Sequence, residues 1–331
     1  MSATATSQQR TLPVEEATAL AVASLKRLGY TDDEAAIIAD HLIEAGLRGY
    51  VFAGLPRILE VGDKMRNRPH RAPIEVVHET PVSAMVDGGG NVGYLTVHRG
   101  MRLAIEKAQQ TGVGVVGVHN SYYSGRSGYY VEEIARHDLV GIHLCGAERT
   151  VVPHGGARPA LGTNPVCFGF PTDGEPLVYD TGTSAIMHGE VQLRLRTGEP
   201  LPEGVAVDQE GKPTRDPAAA LLGGFLPFSG HKGYGLSLCA QALGILAGSA
   251  RGGEAADYGF FLLAMRPDLL MPAEEFKAAM AEFLAEVKAT PPQDGVAEVL
   301  LPSERGRRQR EITLGRGLPV DEVVYQALRA L

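Results

Sequence analysis

Four segments in the second half of the chain concentrate glycine, hydroxyl and ionisable side chains beyond what core packing needs. They are Gly155-Gly156 with Leu161-Gly162-Thr163-Asn164-Pro165, Asp180-Thr181-Gly182-Thr183-Ser184, Val205 to Pro217, and Gly230-His231-Lys232-Gly233-Tyr234-Gly235-Leu236. Asp180 to Ser184 directly follows a strand-like run, and backbone donors with small hydroxyls at such a turn can cradle a ribose or phosphate. The same residue types also serve as ordinary caps and turns. Lys232, flanked by Gly230 and Gly233, stands just ahead of a long apolar run. A helix N-terminus is already positive, so a cation there conflicts with it unless an anion lies between them. Phosphate binding is the physical inference, and a lysine pointing to solvent is the other reading.

Three histidines, His154, His188 and His231, are titratable candidates in the same half. A lone histidine is more often a structural hydrogen-bonder than a catalyst; His188, close to the Asp180 segment, is the strongest of the three. No pair of histidines or cysteines has ligand spacing, so metal chemistry is not expected. A further motif, Asp87-Gly88-Gly89-Gly90-Asn91-Val92-Gly93, contains G-x-G-x-x-G between a strand-like and a helix-like run, as a dinucleotide fingerprint requires. The next strand ends Val118-His119-Asn120, without the acidic residue that would hold the ribose hydroxyls. A tight glycine turn is therefore the favoured reading.

The elements that must position these groups alternate between helix and strand. Residues 14–28 read as a helix stopping at Gly29, and Thr31-Asp32-Asp33-Glu34 is a capping box that opens a second helix to about Leu47. Ile74 to Val77 and Val82 to Val86 read as strands. Tyr94, Val97, Met101, Ala104, Ile105 and Ala108 have helical spacing, and Val113 to Val118 is a buried strand. A helix at about 128–137 leads to a strand at Leu139 to Leu144. Short strands follow at Val166–Phe170 and Leu177–Asp180 in a loop-rich region. A helix should run from Gly235 to about Leu246, then a mobile loop from Gly248 to Asp257, a strand from Phe260 to Met265, and helices at 273–288 and 319–331. This pattern favours a layered α/β architecture.

The 331 residues are 44% hydrophobic and 21% charged, and a chain of this length buries roughly three quarters of its unfolded surface without needing a staple. A net charge of −8 argues against nucleic-acid and anionic-membrane partners, which want a basic face. The local exception, Arg305, Arg307, Arg308 and Arg310, reads either as a solvated loop or as a holder of cofactor phosphates. Cys145, Cys167 and Cys239 are far apart and lie in apolar runs, which predicts inert core thiols and a reducing, cytoplasmic setting. Met1 to Pro13 lacks the apolar region of a secretory signal. The longest apolar stretch, Leu236 to Ala247, falls short of the ~18 residues of a membrane span.

Taken together and in order, Val152-Pro153-His154-Gly155-Gly156, the Leu161 to Pro165 and Asp180 to Ala185 segments, Pro202-Glu203-Gly204, Asp208 to Pro217, Gly230 to Leu236 and Phe260-Phe261 resemble the malate/L-lactate dehydrogenase-like family. That family also includes ureidoglycolate, sulfolactate, diketogulonate and cyclic ketimine dehydrogenases or reductases. The resemblance implies a non-Rossmann α/β fold, a three-layer mixed β-sheet flanked by helices, and at least a homodimer. It implies an N-terminal helical segment (1–80) packing with the C-terminal part, a cofactor-binding mixed-sheet core (81–270), and C-terminal helices and a loop (271–331) completing the first domain. The implied cofactor is NAD(P)H, with NADPH set slightly ahead of NADH. By matching position, Asp180, Thr181, Gly182, Thr183, Ser184, His231, Lys232, Gly233 and the loop Pro302 to Arg305, including Glu304 and Arg305, would contact it. Thr163 and Asn164 would line the active cleft and Arg57 would clamp the carboxylate of a small substrate, with a surface or interface salt bridge as its alternative role.

Two departures bear on mechanism. Where the family has G-H-x-S-H-G-x-x-R, this chain reads Gly49-Tyr50-Val51-Phe52-Ala53-Gly54-Leu55-Pro56-Arg57, keeping the arginine and losing the histidine to Ala53. Where it has S-x-H-F-G, this chain reads Ser121-Tyr122-Tyr123-Ser124-Gly125. A tuned acid or base is worth typically ~10²–10⁴-fold, and imidazole titrates near ~6.5 against ~10 for a phenol. Three readings follow: Tyr123 replaces the lost acid with help from a nearby cation, the substrate is an imine that already carries its proton, or the chain keeps the nucleotide pocket with altered or no redox chemistry. Phe52 and Ala53 also make the cleft greasier, which suits a substrate with more hydrocarbon than malate or lactate.

Overall fold

The computed structural model describes residues 9–67, 71–249 and 258–331. The chain opens with β1 (Gln9–Leu12), α1 (Val14–Arg27), α2 (Asp32–Leu47), a 3-10 turn at Val51–Ala53 and α3 (Arg57–Asn67). Next come β2 (Glu75–Glu79), β3 (Ser83–Asp87), α4 (Gly93–Thr111), β4 (Val113–His119), α5 (Gly128–Arg136) and β5 (Val140–Gly146). The glycine-rich part holds β6 (Val166–Phe170), β7 (Leu177–Thr181), α6 (His188–Thr197), β8 (Ala206–Val207), α7 (Pro217–Leu222) and β9 (Gly224–Phe225). The remainder is α8 (His231–Leu246), β10 (Gly259–Met265), α9 (Ala273–Lys288), α10 (Glu304–Arg316), β11 (Leu318–Asp321) and α11 (Glu322–Ala330).

Among the described residues, seven strands form the central sheet in the order β2-β3-β4-β10-β5-β6-β7. β3 and β4 run parallel, with α4 as the crossover that parallel pairing requires, while the other neighbours are antiparallel. The period-2 alternation of β10 explains the layering. Phe260, Leu262 and Ala264 are buried with Met101 of α4 and Ile134 of α5, whereas Phe261 packs with Leu144, Val166, Ala240 and Leu243 on the α8 side. The sheet is thus sandwiched by helices, and each of the larger of these side chains contributes about 1.5–3 kcal/mol by burial.

The capping box at Thr31 forms with both arms: Glu34 N–H donates to Thr31 Oγ1 at 3.3 Å, and Thr31 N–H donates to the Glu34 carboxylate at 2.9 Å. The two chain ends meet where β1 pairs antiparallel with β11. Leu25 and Ile38 of the first helices belong to the same buried cluster as Tyr94 and Phe260, so those helices share the core of the sheet. A smaller cluster of Val151, Leu161, Ile186, Leu201 and Phe225 holds the glycine-rich part together.

Several expectations need correction. The arginine run does not lie in a loop; it lies on α10, which has no continuous apolar stripe and is held to α2 by Arg310 donating to Glu44 at 2.8 Å. Periodicity therefore could not reveal it. The long apolar helix starts at His231, four residues before Gly235, so Lys232 sits inside its first turn. The C-terminal helix begins at Glu322, after a strand. Cys145 and Cys167 are buried, but Cys239 is exposed on α8. Most of the loop expected at Gly248 to Asp257 lies outside the described residues.

Candidate active site

A cavity of about 180 Å³ opens where the 3-10 turn and α3, the loop after β4, the end of β5, and the turn between β7 and α6 converge. Arg57, Tyr123, Thr163, Asp180, Gly182 and His188 line it together. A larger groove of about 880 Å³, which shares Arg126 with the cavity, is walled by already paired charges such as Lys288, Glu304 and Arg308. Its charges already satisfy one another, so the narrower, more apolar cavity is the better seat for chemistry.

Arg57 opens α3, and its Nη1 is paired with Glu60 one turn on. Burial works against the guanidinium charge, but the Glu60 carboxylate more than compensates and holds its pKa above the ordinary value. Burial conversely raises the Glu60 carboxyl, with Arg57 opposing. Breaking such a buried pair leaves an uncompensated charge, which is costly. A Cβ added at Gly189 would lie 3.0 Å from the Arg57 guanidinium carbon, so a glycine here is what lets α6 approach the cation. Among the described residues, Arg57 Nε and Nη2 make no hydrogen bond.

Tyr123 is held in the left-handed region at φ 49°, a conformation that costs energy for an aromatic residue and fixes its ring in the cavity wall. The ring lies 4.8 Å from the Arg57 guanidinium carbon and 5.6 Å from Lys64 Nζ, with Tyr258 edge-on at 6.3 Å. Burial pushes its phenol above the ordinary range, and Arg57 only partly opposes this. The nearby cation expected to acidify Tyr123 is present, over the ring face, yet desolvation outweighs it. Tyr123 therefore keeps its proton at neutral pH and is a hydrogen-bond donor.

His188 is the first residue of α6. Burial first, then Arg57, depresses its imidazole to about 4. The ring is neutral at pH 7 and cannot serve as a strong acid there. Its Nε2 meets Gln192 Nε2 at 3.3 Å, and its Nδ1 is buried without a partner among the described residues.

The Asp180 to Ser184 turn, of which Asp180 and Gly182 line the cavity, is more inwardly bonded. Asp180 Oδ2 accepts the Gly128 N–H at 2.6 Å and Oδ1 lies 3.0 Å from Cys167 Sγ. Thr183 donates its hydroxyl to the Thr163 carbonyl at 3.1 Å, Ser184 to the Ile186 carbonyl at 2.7 Å, and Thr181 to the Gly182 carbonyl at 3.1 Å. Asn164 does not line the cleft. It is fully buried at φ 29°, where its Oδ1 accepts the Ala147 N–H at 2.9 Å and its Nδ2 donates to Ser237 and Gln241, each at 3.1 Å. It braces the wall from behind.

The remaining expected positions lie off the cavity. His231 and Lys232 are exposed, and Gly233 packs against the Phe228 carbonyl, where a Cβ would lie 2.1 Å away. That segment is joined to the Asp180–Ser184 turn by the Phe228 N–H, which donates to the Thr183 carbonyl at 3.1 Å. His154 is exposed beside His231, with ring centroids 6.2 Å apart. Arg305 is exposed; Glu304 pairs with Lys288 and Arg308, and Ser303 Oγ donates to the Val178 carbonyl at 2.7 Å, fastening the start of α10 to β7. The Gly88–Gly93 turn uses its backbone donors internally: Gly88 and Gly90 N–H donate to the His119 and Asn120 carbonyls, and Gly89 N–H to Asp87. It offers no phosphate cradle.

Sequence reasoning did not single out Glu60, Arg126, Glu148 or Tyr258. Glu60 was visible as a carboxylate one helical turn after Arg57, and Arg126 as a lone cation among small and aromatic residues. Tyr258 and Glu148 carried no local signal. Among the described residues, no cluster of three or more metal-ligating side chains occurs and no helix is long and apolar enough to cross a membrane.

Comparison with known proteins places this geometry. The family model for malate/L-lactate dehydrogenase matches residues 12–329. The L-sulfolactate dehydrogenase of Methanothermobacter thermautotrophicus is 36% identical over 316 residues, covering 92% of this chain and 91% of that protein. The Delta(1)-pyrroline-2-carboxylate/Delta(1)-piperideine-2-carboxylate reductase of Pseudomonas putida is 31% identical over 349 residues, covering 100% of this chain and 99% of that one. The crystal structure of a dehydrogenase from Sinorhizobium meliloti matches with a TM-score of 0.90 at 30% identity, over 98% of both chains. With the mixed, helix-flanked sheet and these matches along nearly its whole length, the chain belongs to the malate/L-lactate dehydrogenase family.

Proposed function

We propose that this oxidoreductase reduces a small 2-imino or 2-oxo carboxylic acid with NAD(P)H, NADPH slightly ahead of NADH. The observation that carries the reading is the stacking of Arg57 on Tyr123, 4.8 Å apart, in a cavity also lined by a depressed His188. A reduced nicotinamide, when bound, supplies the hydride. The unpartnered Nδ1 of His188 and the free edge of Arg57 are polar atoms that a carboxamide and a carboxylate would satisfy, so the residues fit both groups.

The chain's own residues bind, orient and hold protons. Arg57 takes the substrate carboxylate through its unbonded edge, with Glu60 keeping the guanidinium in place. For a ketone, the Tyr123 phenol donates a hydrogen bond to the oxygen and gives up its proton as the alkoxide forms; its raised pKa makes it a retained donor rather than a base. A protonated imine needs no such donor. The loss of both imidazoles, now Ala53 and Tyr123, therefore favours the imine arm, as does likeness to a reductase whose name carries two cyclic imino acids. Phe52 and Ala53 supply apolar wall for a substrate ring.

For the dinucleotide we assign Asp180, Thr181, Gly182, Thr183 and Ser184, the adjoining His231, Lys232 and Gly233, and Glu304 with Arg305 where α10 is fastened to β7. The Phe228–Thr183 and Ser303–Val178 hydrogen bonds support this grouping. A homodimer is supported by the exposed apolar face of α8, formed by Gly235, Leu238, Ala242, Ile245 and Leu246 at helical spacing. Three unpaired cysteines support a cytoplasmic setting.

The test is NAD(P)H oxidation with cyclic ketimine carboxylates and with 2-oxo acids. Turnover faster on the imine is the expected result. Binding of the dinucleotide with no turnover on either class would instead support a non-redox or silent member.

A further inference from the structure

We propose that Arg126 is a second anion-binding residue of the same cavity, holding an oxyanion other than the carboxylate on Arg57. The inference rests on the reading that Arg57 takes that carboxylate. Arg126 lines the cavity and also the charged groove, so it stands at the partition between them.

Its placement is rigid. Gly125 precedes it at φ 73°, where a Cβ would lie 2.3 Å from Tyr94 and 2.5 Å from His41. The Arg126 N–H donates to His41 Nε2 at 2.9 Å. Burial holds that imidazole neutral, its pKa well below the ordinary value, so it can accept.

The guanidinium is only partly satisfied. Its side chain is 6% exposed, and Nη2 donates to Glu132 at 3.0 Å. Glu132 also accepts from Arg48 at 2.8 Å and Arg136 at 3.0 Å, so one carboxylate is divided among three cations. Arg48 has Glu44 and Arg136 has Glu175 as further partners; among the described residues Arg126 has no second carboxylate. Its Nε is buried with no hydrogen-bond partner among the described residues. Gly128, lacking a Cβ, leaves room for Arg126 Nη1: a Cβ there would lie 2.6 Å from Nη1 and 3.0 Å from Asp180 Oδ2. The Asp180 oxygens are already engaged by the Gly128 N–H and the Cys167 thiol. A buried guanidinium with unused donors, on a residue that lines a cavity, is suited to a bidentate oxyanion.

Two groups have that chemistry: the distal acid of a substrate dianion and the diphosphate of the dinucleotide. Calorimetry separates them without requiring turnover. Affinities of L-lactate and L-malate for the NADPH-bound protein, and of NADPH and reduced nicotinamide mononucleotide for the protein alone, are compared between wild type and Arg126→Gln. If the anion is the substrate's, malate weakens by about ten-fold while lactate and both nucleotides stay within two-fold. If it is the diphosphate, NADPH weakens by about ten-fold and the mononucleotide does not. Equal loss for all four ligands, or no change in any, overturns the proposal. Should Arg126→Gln fail to fold, Arg126→Lys keeps a partner for Glu132, and the same selective pattern is expected at about three-fold. Arg57→Lys is the control: it should weaken lactate and malate alike, and if it does not, the Arg57 reading fails separately from this one.

Discussion

The cavity wall that carries Arg57, Tyr123 and His188 leaves polar atoms without partners among the described residues, whereas the part built from Thr163, Asp180 and Gly182, with Thr183 buried behind it, turns most of its polar atoms inward. On the first wall the His188 Nδ1 is orphaned and the Arg57 fork keeps an open edge. On the second, Thr183 bonds Thr163, Asp180 bonds Gly128, and Asn164 braces the turn from behind. On the reading proposed above, the first wall holds the substrate, while the inward bonds of the second shape the turn assigned to the dinucleotide. Substitutions on the first should act mainly on rates; substitutions that break the inward bonds behind the second should act on stability first.

The largest effect is expected at Arg57. Arg57→Met would remove the proposed charge-assisted carboxylate contact, worth about 2–5 kcal/mol, so kcat/KM should fall about 30- to 5,000-fold. It also strands Glu60, so denaturation must be measured alongside; a drop in kcat/KM under ten-fold would break the comparison. Tyr123→Phe comes next, slowing reduction of a 2-oxo acid by about 10²-fold and of a cyclic imine by less than ten-fold. Equal losses on both would remove Tyr123 as the proton donor.

On the second wall, Asn164→Ala leaves the Ala147 N–H and the Ser237 groups without a buried partner. Urea unfolding should show a loss of about 2–4 kcal/mol, while kcat/KM of the folded protein changes only a few-fold. The reverse pattern would make Asn164 part of the chemistry. The remaining prediction is a pH dependence at His188. Its imidazole sits at about 4 when folded against the ordinary 6.5. The unfolded chain thus takes up this proton first, and its stabilising contribution, complete above pH 6.5, is lost progressively as pH falls towards 4, at about 1.4 kcal/mol per unit. His188→Gln should flatten the fall in stability between pH 6.5 and 4.5, with His41 and His143, also depressed by burial, keeping part of the slope.

The contrast also explains what could be read from the chain alone. The sheet strands and most of the long helices were legible because their apolar residues repeat at two or 3.6 positions, as in Val166–Phe170 and Ala273–Lys288. α3 and α10 escaped notice: one follows Pro56 as a short run, and the other is fastened by ion pairs to Glu44 instead of by an apolar face. Two glycine turns that look alike as strings part company in space. Gly88–Gly93 closes on the backbone of residues 119 and 120, while Asp180 and Gly182 reach the cavity. Arg57, Tyr123 and His188 could be named from residue type, but their mutual effect could not. Whether Arg57 would acidify Tyr123 depended on burial, which only packing sets.

A fluorescence titration tests the central claim most directly, since the chain has no tryptophan and bound reduced dinucleotide can be observed over a low background. NADPH and NADH should each give a saturable enhancement at micromolar concentrations, and addition of a cyclic ketimine carboxylate should abolish the signal as the dinucleotide is oxidised. No saturable signal below millimolar dinucleotide would contradict the account.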